Sequence, residues 1–303
     1  MRFVSCLNVF VCLCLLAAAR APAEEARAVL DRAIQAHGGE ARLERTTKGR
    51  LKARVEGNMF GTVFKTEWEE TFDLPGRYKQ IIDGSVNGMS THMEYAVTGT
   101  KGWLRQGTDS ARDFAESEPP SVGRHWHAIL AQLLLVSDKK IQLSSLPDDK
   151  TDGRTLAGIR AVSLQGSGDW YFDKATGLLA RAPWRMPNHT ILKAGQKTMG
   201  QHRLEDYHDI KGIHYPMKFI TNAGKANSMT ITISSIEFLD KIEASVFVNP
   251  QTPAEPYKGE ETPVNRDRWL IIATASAGVV VGAVWLIVRA SGRGKRETPP
   301  AEE

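Results

Sequence analysis

The chain has 303 residues, 42% hydrophobic and 24% charged, with a formal net charge of +4. Its two ends carry most of that excess: without residues 1–23 and 289–303, 33 basic residues face 32 acidic ones. A near-neutral body of this size excludes an electrostatic footprint for nucleic acid and is long enough for one large domain.

Met1 to Ala23 reads as a secretory signal peptide. Arg2 opens it, an apolar run follows from Phe3 to Ala19, and Ala21-Pro22-Ala23 offers small residues for cleavage before Glu24-Glu25. All three cysteines, Cys6, Cys12 and Cys14, fall in this segment. The exported chain is therefore expected to have no disulfide and to rely on its core alone.

From Glu24 to His37 the spacing of Val29, Leu30, Ala33 and Ile34 predicts a helix, stopped by Gly38-Gly39. After Thr47 the period changes to two. Leu51, Ala53 and Val55 alternate with Arg50, Lys52, Arg54 and Glu56; Phe60, Phe64, Trp68 and Phe72 then share one face of a long strand, opposite Lys65, Glu67, Glu69 and Asp73. Met93, Tyr95 and Val97 repeat the pattern, as do Tyr215, Met217 and Phe219, and then Met229, Ile231 and Ile233. Such strands predict an antiparallel sheet with one solvated face. At Ser234-Ser235 the parity slips to Ile236 and Phe238, which reads as a bulge. Between the strand groups, Val122, Trp126, Ile129, Leu130 and Leu133 form one stripe of a helix over residues 121–136. The expected fold class is α+β: a long, curved antiparallel sheet covered by helices, with one membrane helix added.

That helix is the run from Trp269 to Val288, twenty residues without a charge, flanked by Arg266 and Arg268 on one side and Arg289, Arg293, Lys295 and Arg296 on the other. At about 1.5 Å per residue it spans the hydrocarbon core of a bilayer. Pro250, Pro253, Pro256 and Pro263 mark residues 250–268 as a solvated spacer, reaching at most about 55 Å. The expected organisation is signal peptide 1–23, extracytoplasmic domain 24–249, spacer 250–268, transmembrane helix 269–288 and cytoplasmic tail 289–303. The direction rests on the signal peptide, because basic residues flank the span almost equally. Thr274, Gly278 and Gly282 stand four apart, so a small-residue face at Gly278 and Gly282 would let two such helices pair as a homodimer.

Two local patterns carry a resemblance. One is the hairpin Trp170-Tyr171-Phe172-Asp173-Lys174-Ala175-Thr176-Gly177-Leu178-Leu179-Ala180-Arg181. The other is Glu205-Asp206-Tyr207, then Gly212 and Pro216, the strand Met229–Phe238 and the closing Val246-Phe247-Val248-Asn249-Pro250. Preceded by Ala33-Ile34-Gln35-Ala36-His37-Gly38-Gly39, they make residues 24–250 resemble exported proteins of the LolA/LppX-like superfamily, which includes outer-membrane lipoprotein carriers. The resemblance implies an incomplete β-barrel whose helices close a hydrophobic cavity. It implies as partner a lipid or a lipoprotein acyl chain, with Phe60, Phe64, Trp68, Phe72, Trp126 and Leu130 as candidates to contact it. A carboxy-terminal anchor departs from a freely diffusing carrier, leaving local binding or handover at the membrane, or an envelope sensor or protein-interaction module without ligand. The expected location is the periplasmic side of the inner membrane.

Enzyme-like chemistry finds little support. On a regular strand His202, Asp206 and His208 would share a face, with His214 nearby, a donor set suited to zinc; the other reading is a solvated polar face ended by a turn over residues 208–212. His125 and His127, two apart on a helix, point away from each other. Nucleophile elbow, P-loop and dinucleotide fingerprint are all missing. The chain is expected to be no enzyme and to use neither cofactor nor metal, with a metal-dependent or other hydrolase as the remaining alternative.

Overall fold

The computed structural model describes residues 23–59, 61–114, 128–163, 166–185, 199–222 and 227–251. The signal-peptide run to residue 22, Phe60, Val122, Trp126, His125, His127 and everything from 252 onward, including the 269–288 span with Gly278 and Gly282, lie outside the described residues. Among the described residues no helix is long and apolar enough to cross a membrane.

The chain opens with helix α1 (23–36). Ala26, Leu30, Ala33 and Ile34 are its buried stripe, at the i, i+4, i+7, i+8 spacing of an amphipathic helix. Gly38 and Gly39 then turn the chain at φ 116° and 88°, and Gly39 N–H donates back to Ile34 O at 2.8 Å, the bond that satisfies an orphan carbonyl at a helix end. A short helix α2 (Glu40–Glu44) and one 3-10 turn lead into the sheet.

Thirteen strands follow: β1 (Lys48–Met59), β2 (Thr62–Asp73), β3 (Arg77–Val86), β4 (Met89–Thr98), β5 (Lys101–Gln106), β6 (Arg112–Asp113), β7 (Gln142–Thr151), β8 (Arg154–Ser163), β9 (Gly166–Asp173), β10 (Leu179–Arg185), β11 (Met199–Ile210), β12 (Ile213–Asn222) and β13 (Ser228–Phe238). Helix α3 (Ile129–Val136) stands between β6 and β7. They make one sheet in the order β6-β5-β4-β3-β2-β1-β13-β12-β11-β10-β9-β8-β7. Two antiparallel meanders are thus joined where the first strand pairs with the last. Among the described residues the ladder runs from β6 to β7 and does not close.

One face of this sheet is buried throughout, from Leu104 on β5 to Leu143 on β7, in a single apolar cluster. Laid flat, thirteen strands about 4.8 Å apart would span about 60 Å, whereas α1 and α3 are only about 21 Å and 12 Å long. Helices of that size leave most of a flat face wet. The sheet therefore curls over its own apolar side, as large open sheets do. Its other face is polar and carries cross-strand ion pairs such as Lys52–Glu69 (2.6 Å) and Arg54–Glu67 (2.9 Å), each worth about 0–1 kcal/mol at such exposure.

The bulge expected at Ser234 is present: Ile233 pairs with Ala53 and Ser235 with Lys52, leaving Ser234 as the extra residue. Two readings need correction. The run from Phe60 to Phe72 is not one strand, because β1 ends at Met59, Gly61 turns at φ 81° and β2 begins at Thr62. The outer face is also not polar everywhere. After β13 the chain crosses it, and a 3-10 turn (Ala244–Phe247) packs Ile242 and Phe247 on Trp103, Ala96 and Ala111. Trp103 Nε1–H donates to Phe247 O at 3.0 Å, and Arg77 lies 5.2 Å over the Phe247 ring.

Candidate apolar ligand site

The inner face is built from alternate residues, and β2 supplies its largest side chains. Phe64, Trp68 and Phe72 are 2%, 4% and 0% exposed. Each stands opposite a small residue of β1: Phe64 faces Gly57, Trp68 faces Ala53 and Phe72 faces Gly49. A Cβ at Gly49 would come within 2.9 Å of Phe72 Cζ, and one at Gly57 within 3.1 Å of Phe64 Cζ. The two phenylalanine rings thus lie over the neighbouring strand, a large-to-small fit across the pair. Trp68 Nε1–H is satisfied by Thr66 Oγ1 at 2.9 Å.

Leu130 on α3 is fully buried in the same cluster as Phe64, Trp68 and Phe72. The structure therefore brings together four of the six residues expected at an apolar site. The other two, Phe60 and Trp126, are outside the described residues.

A polar network that periodicity did not single out sits within this apolar face. Gln80 Nε2–H donates to Glu70 Oε1 at 2.8 Å, and Tyr95 O–H donates to Gln80 Oε1 at 2.7 Å. The Tyr78 and Tyr95 rings are 5.9 Å apart. Burial, followed by the Glu70 charge beside them, pushes both phenols well above their usual range, so they stay protonated donors. The signal was present in the sequence, since Glu70 occupies the same parity as Trp68 and Phe72. A carboxylate at a core position of a strand marks a place where polarity is bought by hydrogen bonds.

Parts of the two patterns that carried the resemblance, and the His37 segment that precedes them, meet at one end of this face. His37, just past α1, accepts from Leu179 N–H at 3.3 Å through Nε2 and lies 5.5 Å from the Tyr207 ring. Tyr207 O–H donates to Leu179 O at 2.5 Å. Gly38 permits the contact: a Cβ there would sit 2.3 Å from Gly212 O. In the β9–β10 hairpin Asp173 Oδ1 accepts from Ala175 and Thr176 N–H at 2.8 and 3.1 Å, and Gly177 takes φ 79°. Burial, and secondarily His214, lower the His37 imidazole to about 3.

The histidines weighed for zinc are dispersed. His202 is buried and bonds Thr221 Oγ1 at 2.8 Å, with burial lowering it to about 4. Asp206 adopts φ 56° and breaks the alternation of β11, so His208 is exposed and pairs with Asp206 at 3.0 Å. His214 is exposed as well. Among the described residues no group of three His, Cys, Asp or Glu side chains is placed to hold a metal.

The outer face has a depression of about 560 Å³ beside Arg160, Arg181 and Arg203. Carboxylates already answer each arginine: Asp169 pairs with Arg160, Asp149 with Arg181, and Glu205 with Arg203. A further anion there would compete with these pairs, and the inner face is the stronger candidate site.

No protein-family model matches the chain, and no curated protein matches it in sequence. Solved structures do. A LolA superfamily protein from Nitrosomonas europaea is 10% identical with a TM-score of 0.47, covering 74% of this chain and 97% of its own. A DUF1329 family protein from Desulfovibrio piger is 13% identical with a TM-score of 0.48, covering 75% and 97%. A domain named as an outer membrane lipoprotein-sorting protein from Vibrio parahaemolyticus is 10% identical with a TM-score of 0.44, covering 74% and 97%. The superfamily that the sequence resembles is thus represented among the solved structures similar to this one.

Proposed function

We propose that the chain is a membrane-held, extracytoplasmic binding protein whose curled sheet takes an apolar ligand, a lipid or a lipoprotein acyl chain, on its inner face. The domain is residues 24–249, exported by the signal peptide, tethered through the spacer and held at the inner membrane by the 269–288 span. It binds without catalysis. The observation that carries this reading is the apolar face running from β5 to β7 under only two described helices of more than one turn and a half. Transfer of apolar surface to such a face is worth about 25 cal/mol per Å², so part of one acyl chain suffices for useful affinity. Glu70, Gln80, Tyr78 and Tyr95 would then meet the polar end of the ligand.

One observation favours a second reading, a sensor or protein-interaction module with a filled core: Phe64, Trp68, Phe72 and Leu130 are at most 4% exposed. Native mass spectrometry of residues 24–251, exported and purified without detergent, separates the two. Co-purified lipid, with saturable displacement of a fluorescent fatty acid, is the expected result. Repeated absence of both overturns the ligand reading in favour of the filled core.

A further inference from the structure

The depression on the outer face has a wall that sheet order alone does not supply. β7 ends that order, beside β8, and its ladder shifts register between Leu146 and Asp149, around Pro147. A proline without an N–H fits an edge bulge, and a bulge bends its strand. Beyond the bend the end of the β7–β8 hairpin leans over the outer face. Asp149 pairs with Arg181 on β10, and Asp152 lies 3.6 Å from Arg203 on β11. Arg181 and Arg203 stand directly opposite each other, an unfavourable placing of like charges that these two carboxylates offset. Gly158 makes room for the bend, since a Cβ there would come within 2.9 Å of both Leu146 Cβ and Tyr171 Cε1.

Beside that wall lies the space of about 560 Å³, within the roughly 300–1,000 Å³ of small-molecule sites. Its lining offers donors and acceptors together. Arg160 forks onto Asp169 at 2.7 and 2.8 Å, which uses two of the five guanidinium donors and one lone pair on each carboxylate oxygen. Gln201 and Asn222, paired across the ladder, bring amide groups, and Thr151 and Ser167 bring hydroxyls. Among the described lining residues Pro183 is the one apolar side chain. An acyl chain would strip water from these groups and return no hydrogen bond. An anion would have to displace a carboxylate from its arginine. A neutral polyol meets neither obstacle. Its adjacent hydroxyls donate to carboxylate and amide oxygens and accept from guanidinium and amide N–H groups, and every ion pair stays in place.

We propose that this pocket binds a neutral hexose, carried either as the head of a glycolipid or in a free glycan. The site lies on the face opposite the apolar one and is independent of whether the inner face holds a lipid.

The test uses the full chain in phosphatidylcholine nanodiscs. Saturation-transfer NMR with the methyl glycosides of glucose, galactose, mannose and N-acetylglucosamine reads a free glycan. Co-flotation with vesicles carrying hexosyl diacylglycerol, against plain phosphatidylcholine vesicles, reads a lipid headgroup. Saturable binding in either arm is the expected result, and the arm that responds identifies the source. Gln201→Ala/Asn222→Ala removes two lining amides that hold no ion pair and should weaken binding about tenfold at an unchanged thermal midpoint. Ser167→Phe, which fills the pocket from an exposed position, should abolish binding, while displacement of a fluorescent fatty acid stays as in the parent chain. Absence of binding in both arms overturns the proposal. So does sugar binding that survives both variants, or saturable binding of inorganic phosphate where no sugar binds, which would mean an anion site.

Discussion

His37 and His202 are 0% and 4% exposed, and both are held neutral by burial, with values lowered to about 3 and about 4 from an ordinary 6.5. The unfolded chain takes up two protons as pH falls through 6.5, whereas the folded chain takes them up only near 4 and 3. Stability from these two groups is therefore complete above about pH 6.5 and is lost progressively as pH falls toward the folded values. At pH 5 the loss from the pair is of order 4 kcal/mol. Glu94 is held below the usual carboxylate range, since Lys79 and Arg105 outweigh the upward push of its burial. The urea midpoint should drop markedly between pH 7.5 and pH 5, and His202→Gln should remove about half of the drop. Equal midpoints would mean that neither imidazole is buried as described. His202 could be read from the sequence as a member of a β11 face. That it points into the core while His208 faces water depends on the left-handed turn at Asp206, which no alternation pattern announces.

The elements divide by how local their causes are. Helix α1, the β9–β10 hairpin and the Ser234 bulge were legible, because periodicity, an Asp-to-Gly turn and a parity slip are local signals. The break at Gly61 was not, since the spacing of Phe60, Phe64, Trp68 and Phe72 runs across it as though all four belonged to one strand. The strap across the outer face was also invisible: Phe247 gains its role only when β5 brings Trp103 beneath it. Phe247→Ala should empty this small second core, with a local cost of about 3 kcal/mol. Amide exchange across 240–249 should then rise and the Trp103 emission move to the red, while the β1–β13 ladder keeps its protection. A strap that stays protected in the variant would show that Trp103 and Ile242 hold it without Phe247. Loss of the β1–β13 ladder would show that the strap is part of the main cooperative unit.

At the scale of the whole molecule, the sheet joins β1 to β13, so residues near 50 and 235 lie side by side. The proposed topology places that entire unit outside the cell membrane. Protease added to spheroplasts of cells expressing the chain should digest it and leave a membrane-embedded stub with residues 289–303 protected. A full-length protected chain would overturn both the export signal and the orientation. The spacer would let the domain stand up to about 55 Å from the bilayer.

By itself the sequence determined the class of each face. Alternating Leu51, Ala53 and Val55, or Tyr215, Met217 and Phe219, allow one solvated side and one buried side, because strand side chains point to opposite faces with a period of two. It also determined the shape of the local turns and the apolar spans at the two ends. Tertiary structure alone decided which strands are neighbours, and therefore that Phe64, Trp68 and Phe72 each find a glycine or alanine across β1. It alone gathered Glu70, Gln80, Tyr78 and Tyr95 into a network and His37, Leu179 and Tyr207 into a junction. These contacts join residues from 10 to 142 positions apart, and long-range pairings leave no mark in any short window because each partner only acquires its environment once the sheet has curled.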